Sequence, residues 1–486
     1  MNLNLSLKHL CFATLLSIIM LLNSSCSSDK NKILESVPDD AEFVMTLNLF
    51  EFAKQANLSI EGGRLVMPRE YSIIKENLPE NFTKIIGQAV QAIDIENIVV
   101  FGYINKDIAY MTFPVKNADA LRELLKGDEF ELERDRLNGY EIYSESDSDY
   151  DECIVISNDE TQAWFIPRRD CVKYVEDFEF ARKKNNILRY SGLASALTAD
   201  NITNAVFDMG CIDAMLGKYW LTTSANIDRN SISINASAIT TDGEHFDTKD
   251  LQEISPEFLS YMPANFIGVT AVGINPEGTW LNQVKMLCAQ QRRYSTDFEM
   301  AQPYLEALDG TIAFGFGPKS LKSFYSKDIS DWEFITMVHM TPNKVTKLID
   351  LIKENIPGVK SDGKLNYIED NGYRITFGNV DGYFAAAFNT DITKGNSNSF
   401  SSDFNGKNYA MILQTPMLNE IIDNPTLNYS VKASMDIKKS VINIDLKLVG
   451  TDAPIIPTLM VDAPIFFKTL MYKMENYSHD ESDYLY

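Results

Sequence analysis

The chain has 486 residues, of which 45% are hydrophobic and 23% charged, proportions that exclude a disordered, collagenous or multi-span membrane protein. At that length at least two folded units are expected, and 27 Phe, 22 Tyr and 4 Trp supply bulky surface for large cores. With 68 Asp and Glu against 44 Lys and Arg the formal net charge is -24, a field that repels a phosphate backbone, so no nucleic-acid partner is expected.

Residues 1–25 read as a signal peptide. Lys8 is their single charged residue, and the thirteen-residue run from Leu10 to Leu22, LCFATLLSIIMLL, is short of the ~20 residues of a membrane span but suits a signal-peptide core. The stretch LNSSCSS then presents Cys26 among small polar residues, a lipobox-like arrangement that departs from the commonest pattern at Asn23. An ordinary secretory signal with a coincidental cysteine is the alternative. Cleavage before Cys26 removes Lys8 and no acid, which takes the net charge to -25. Lipidation at Cys26 would attach the protein to a membrane, more stably with several acyl chains than with one. Residues 26–35 follow as lipid anchor and polar tether.

In an oxidising compartment Cys153, Cys171, Cys211 and Cys288 can pair as disulfides in any of three ways, or stay as buried thiols. Neither a C-x-x-C nor a Cys/His ligand set is present, so no structural zinc and no thioredoxin-like chemistry is expected.

From Ser36 onward the chain repeats one plan. VPDDAEFVMTLNL from Val37 has a counterpart in MPANFIGVTAVGI from Met262, and VVFGYI from Val99 one in IAFGFG from Ile312, with a shared aromatic-Gly-aromatic step. Each copy then predicts a helix with one apolar stripe: Ala118, Leu121, Leu124 and Leu125 in the first, Val345, Leu348, Leu351 and Ile352 in the second. LNGYEIYS from Leu137 and DNGYRITF from Asp370 both read as tight Asn-Gly hairpins. NAVFDMGCIDAML from Asn204 and NYAMILQTPMLNEII from Asn408 each predict a strand and a short helix. Each copy closes on a long hairpin, in which Ile232, Ile234, Ala236 and Ala238 align with Ile442, Ile444, Leu446 and Leu448, alternating with polar residues as in a sheet with one wet face. The expected fold class is therefore α+β, two tandem copies of a mainly antiparallel sheet with packed helices. The first copy spans 36–243, a charged linker 244–260, the second copy 261–471, and an acidic, Tyr-rich tail 472–486.

No catalytic residue stands out. His339 in MVHMT alternates with its neighbours and reads as a sheet-face or core histidine, His245 falls in the linker and His479 in the tail. There is no Gly-x-Ser-x-Gly elbow, Walker-type loop or Gly-x-Gly-x-x-Gly, and the glycines of FGFGPKS from Phe314 sit in a predicted strand, where they mark close packing. Asp147, Asp149 and Asp151 imitate the start of a calcium loop, but Glu152 stands where its Gly belongs and Asn158 where its bidentate Glu belongs, so a solvated loop is the reading. No cofactor and no metal site is expected, and no carboxylate pair can be singled out for hydrolysis.

The LNSSC stretch at Cys26, the opening ILESVPDDA from Ile33 and the tandem NGY hairpins together resemble an uncharacterised, tandem-duplicated family of Bacteroidota lipoproteins, a domain-of-unknown-function family. The resemblance implies an envelope lipoprotein held at the outer membrane, on a face it does not specify. The function expected is that of a non-catalytic binding or scaffold module for an envelope protein, glycan or other component. A periplasmic carrier of an apolar ligand and a glycan hydrolase with paired carboxylates are the alternatives.

Overall fold

The computed structural model describes residues 30–472 except 73–74, 76–77, 80, 127–131, 146–151, 212–216, 247–248, 264–265, 283–284, 286–301, 303–304, 321–322, 324–327, 371, 396–400, 415–428, 437–439, 450, 463–467 and 470–471. The chain is α+β and divides into two compact units, one of residues 1–246 and 452–461, the other of 247–451 and 462–486. No helix among the described residues is long and apolar enough to cross a membrane.

Unit 1 opens with helix α1 (Lys30–Leu34) and strand β1 (Phe43–Leu47), followed by α2 (Leu49–Gln55), a small hairpin of β2 (Ser59–Glu61) and β3 (Arg64–Val66), and α3 (Phe82–Ala92). Strands β4 (Ile98–Tyr103) and β5 (Ile108–Pro114) form a second hairpin. Helix α4 (Ala118–Leu125) comes next, started by the Asn117 side chain, which accepts from Ala120 N at 3.0 Å. Its apolar stripe buries Leu121, Leu124 and Leu125, as the spacing predicts. Four strands follow: β6 (Leu132–Leu137), β7 (Tyr140–Glu145), β8 (Glu152–Ile156) and β9 (Gln162–Pro167). Helices α5 (Cys171–Lys184) and α6 (Ser191–Thr198) then lead to β10 (Thr203–Asp208), β11 (Trp220–Asp228) and β12 (Ser231–Ile239). Side by side the strands run β6-β7-β8-β9-β5-β4-β1-β10-β11-β12, every neighbouring pair antiparallel. Both faces of this sheet are covered. Ile98, Phe113, Ile154 and Ile156 join α3 and α4 in one core, while Val44, Phe101, Tyr110, Val155 and Ile166 join α1, α5 and α6 in another.

Unit 2 comprises β13 (Gly268–Gly273), β14 (Leu308–Pro318), β15 (Trp332–Met340), helix α7 (Pro342–Asn355), β16 (Lys360–Ser361), β17 (Asn366–Asp370), β18 (Tyr373–Val380), β19 (Tyr383–Phe388), α8 (Ser401–Phe404), β20 (Lys407–Gln414), β21 (Tyr429–Asp436) and β22 (Val441–Leu448). Its antiparallel order is β16-β17-β18-β19-β15-β14-β13-β20-β21-β22, strand for strand the order of unit 1. One face packs on the segment around Phe258, Leu259 and Met262 and on Phe404, the other on Val345 of α7. The glycines of β14 do mark close packing: a Cβ on Gly315 would meet Met262 Sδ at 2.6 Å and the Phe266 ring at 2.8 Å.

Several boundaries and correspondences differ from the sequence reading. Residues 30–35 are not tether, because α1 buries Ile33 and Leu34 in the unit 1 core. The proposed linker 244–260 is largely fold. Gln252 N donates to Gly273 O at 3.0 Å and Ile254 N to Lys407 O at 2.7 Å, and Phe258 is fully buried, because its apolar EFLSYM run outweighs the charges before it. Residues 452–461, assigned by sequence to the second copy, group with unit 1, where Ile455 N donates to Arg229 O and Arg229 Nε to Asp452 O.

The two Asn-Gly turns are also not counterparts. Asn138 and Gly139, with φ of 52° and 93°, join β6 to β7, the outermost pair. Residues 371–372 join β17 to β18, one strand further in, at the place that 146–151 hold between β7 and β8 in unit 1. Finally, the aromatic-Gly-aromatic steps are out of register. Core residue Val44 pairs with Phe101, but core residue Val269 pairs with Gly315, so Phe101 and Phe314 face opposite sides of their sheets.

Candidate functional site

The site is built by the β4–β5 hairpin, the turn before β1 and one face of α5. On a strand every second side chain shares a face, so Phe101 and Tyr103 of β4 stand beside Ile108 and Tyr110 of β5, with Phe101 opposite Tyr110 and Tyr103 opposite Ile108. Asp107 takes a left-handed φ of 55° to close the hairpin. Asn105 fixes it, donating through N and Nδ2 to the Glu42 carboxylate at 2.8 and 2.9 Å. Helix α5 crosses this face with Tyr174, Asp177, Phe178 and Ala181 at i, i+3, i+4 and i+7. The rings interlock. Phe178 meets Phe101 edge-on at 5.0 Å and Tyr110 at 5.2 Å, Tyr110 meets Tyr174 at 5.4 Å, and Tyr103 meets Tyr110 at 6.4 Å.

Above these rings lies a cleft of about 450 Å³, rimmed by Asp39, Asp40, Lys106, Asp177, Phe180 and Asn185. Its far rim is held by backbone pairing, Asp39 N to Asn185 O at 2.9 Å and Ile187 N to Val37 O at 3.0 Å. Phe178 and Tyr110 are buried at its floor, whereas Phe180 is 59% exposed at its edge. Tyr103 donates its hydroxyl to Asp40 Oδ1 at 2.9 Å, and Lys106 Nζ sits 3.9 Å from its ring centroid. Arg189 Nη1 pairs with Asp39 Oδ2 at 2.5 Å.

Burial, the hydrogen bond to Asp40 and the charges of Asp40 and Asp177 push the Tyr103 hydroxyl above the usual tyrosine range. Burial, Tyr174 and Asp177 do the same to Tyr110. Both phenols therefore stay neutral hydrogen-bonding groups at any physiological pH. With Phe178 and Tyr110 packed beneath, the ring surface left to the cleft is that of the half-buried Tyr103 and Tyr174 and the exposed Phe180, with carboxylates, a neutral phenol and the Asn185 amide around them.

The residues singled out in the sequence lie elsewhere. Cys26, Cys288, His479 and the run Asp147 to Asp151 fall outside the described residues. His339 is on β15, partly exposed, with Nδ1 2.7 Å from Asp309 Oδ1 and its ring against Tyr383, so it is a sheet-face histidine. His245 Nδ1 is 2.9 Å from Ser237 Oγ. Cys211 lies near Asn105 and Glu42, where burial and the charges of Asp208 and Glu42 push its thiol up to about 11. None of the cleft residues was predicted. The available signal was the spacing of Tyr174, Asp177 and Phe178, which marks one face of a helix.

Unit 2 carries a different aromatic feature. Phe316, Phe314, Phe334 and Phe388 form a half-buried ladder across β14, β15 and β19, with successive centroids 5.9, 5.9 and 5.8 Å apart, extended by Trp332 and Tyr373 at its ends. It lies on the sheet face opposite Ala313 and Gly315.

No protein-family model and no curated protein matches the chain. Solved structures of TP0453 in crystal forms IV and I match at 11% identity with TM-scores of 0.29 and 0.28, over 44% of this chain and 81% and 80% of theirs. Similarity that low leaves the cleft to be read from its own geometry.

Proposed function

We propose that the chain is a non-catalytic lipoprotein of the cell envelope, anchored through Cys26 at the outer membrane of a Bacteroidota bacterium, and that the unit 1 cleft binds a glycan. The observation that carries the reading is the convergence of the accessible rings of Tyr103, Tyr174 and Phe180 with Asp40, Asp177 and Asn185 around one 450 Å³ cleft. Sugar rings present apolar faces to aromatic rings and hydroxyls to carboxylates and amides. A carrier of apolar molecules is less well supported, since three carboxylates and a lysine line the opening. A hydrolase needs two carboxyls free to act, whereas Asp39 is paired with Arg189 and Asp40 accepts from Tyr103. The common strand order further supports descent of the two units from one by duplication.

The test is a glycan-array screen of the protein, followed by calorimetry with the retained glycans on the wild type, Tyr103→Ala and Asp177→Asn. Retention of one glycan class, weakened about tenfold or more by either substitution, is the expected result, a loss of about 1.4 kcal/mol. No retained glycan, or binding that both variants leave unchanged, overturns the assignment to this cleft. Release of reducing sugar from a bound glycan would instead make the protein a hydrolase.

A further inference from the structure

We propose that Cys153 and Cys171 form a disulfide when the chain folds in an oxidising compartment. Sequence alone leaves three pairings open; the fold brings these two together. Cys153 lies on β8 opposite Ile166 of β9 and is 2% exposed. The chain leaves β9 at Pro167, reverses at Asp170, which takes a left-handed φ of 61°, and begins α5 with Cys171, which is 5% exposed. Both side chains lie in the same buried core beneath α5 as free thiols, and the Cys171 thiol is one of the neighbours that push the Cys153 thiol up. Cys211 is not part of that core; it is partly exposed, with its sulfur 3.5 Å from Asn105 Nδ2.

The step is a thiol–disulfide exchange with a disulfide oxidant of the exporting compartment. One thiolate of the pair attacks the oxidant's disulfide and forms a mixed disulfide, and the second sulfur then displaces the oxidant. One S–S bond forms in the protein. Two electrons and two protons leave with the oxidant, which departs as a dithiol. Burial pushes the Cys153 thiol up, so a pair left reduced in the finished core is unreactive, and the bond is made while the chain is folding. Its product is a staple between β8 and the first residue of α5, the helix that presents Tyr174, Asp177 and Phe178. The pairing does not depend on what the cleft binds.

The test refolds the purified protein from urea in an oxidised and reduced glutathione mixture, blocks free thiols with iodoacetamide in denaturant, and maps peptides by mass spectrometry without reductant. The expected product is a linked pair of peptides holding Cys153 and Cys171, lighter than their sum by two hydrogens and separated by dithiothreitol. Alkylation of both cysteines, or linkage of either to Cys211 or Cys288, overturns the proposal. The same mapping on protein recovered from the export compartment of a bacterium producing the full chain gives a second reading that does not rely on refolding. Both cysteines alkylated there, in chains that have lost their leader, would overturn it equally.

Discussion

Replacing Glu141 by Gln removes the one negative charge at the centre of three guanidiniums. The carboxylate, on a side chain 8% exposed, accepts from Arg122 Nε at 3.0 Å, Arg134 Nη2 at 2.6 Å and Arg136 Nη2 at 2.8 Å. Burial alone raises this carboxyl; the hydrogen bonds from Arg122, Arg136 and Arg134 outweigh burial and hold it at about 2 instead of 4.5. At about 1.36 kcal/mol per tenfold, that difference corresponds to roughly 3 kcal/mol of stability. Arg134 and Arg136 are 35% and 67% exposed, so solvent screening lowers the expected loss in Glu141→Gln to about 1–2 kcal/mol. Because the folded pKa is the depressed one, the stabilisation is complete above the unfolded value and is lost as pH falls through the folded value. By pH ~3 under half remains. Urea unfolding followed by near-ultraviolet circular dichroism measures this directly. The variant unfolds at lower urea than the wild type at pH 7, and the gap narrows both towards pH 3 and in molar salt. A gap at neutral pH below about 0.3 kcal/mol, or one unchanged at pH 3, refutes the reasoning.

Phe178→Ala removes a ring 3% exposed that contacts Phe101 and Tyr110; it is expected to cost unit 1 about 3–5 kcal/mol in chemical unfolding, since the floor of the cleft cannot collapse around the lost volume. Gly87→Ala drives a Cβ into the Gly63 carbonyl oxygen, so α3 must move off the β2–β3 hairpin and the melting temperature falls by the equivalent of about 1–3 kcal/mol. Oxidation of Cys153 with Cys171, 18 positions apart, should raise unfolding stability over the reduced protein by about 3 kcal/mol on chain-entropy grounds, measured as a shift in urea midpoint. Exchange of residues 146–151 for Asn-Gly should keep the fold, because Ser144 and Cys153 are already paired across that connection and two residues serve at 371–372; lost circular dichroism, or a calcium heat in the wild type absent from the variant, would contradict a purely solvated loop.

How far the sequence discloses this fold depends on the range of the interactions involved. Local rules were readable: the positive φ of Asn138 and Gly139 in a two-residue turn, and the stripe Leu121, Leu124 and Leu125 under α4. So were the closing hairpins, because alternation over eight or nine residues persists whatever lies nearby. Composition misled at two boundaries. Lys30 and Lys32 made a buried helix look like tether, and the acids before Phe258 hid a core segment. The cleft was illegible for a different reason. Tyr103 and Tyr110 are made neighbours by pairing across a hairpin, and Tyr174, Asp177 and Phe178 arrive more than sixty positions later on a helix rich in charge. Nothing local marks such residues as partners.

The register of one strand sets which side chains face the cleft in unit 1 and which face the corresponding side of unit 2. Both units lay a strand with an aromatic-Gly-aromatic step next to their first strand, and both cover one face with the segments preceding that first strand and following the β9 or β19 position. In unit 1 the aromatic residues fall on that face. Phe101 is taken into the core by Phe178, and Tyr103, two residues on, is left at the rim beside Asp40. In unit 2 the step is displaced by one residue relative to the core, so Ala313 and Gly315 occupy the covered face and allow Met262 and Phe266 to pack directly against the strand. Phe314 and Phe316 turn to the other side, where they can stack only with Phe334, Trp332 and their neighbours along the sheet. A shift of one residue exchanges the two faces of a strand completely, so an apparent match in sequence becomes an opposition in space. The same motif thus makes the floor of a cleft in one unit and a flat aromatic ladder in the other, and a ligand site found in the first carries no expectation of a second copy.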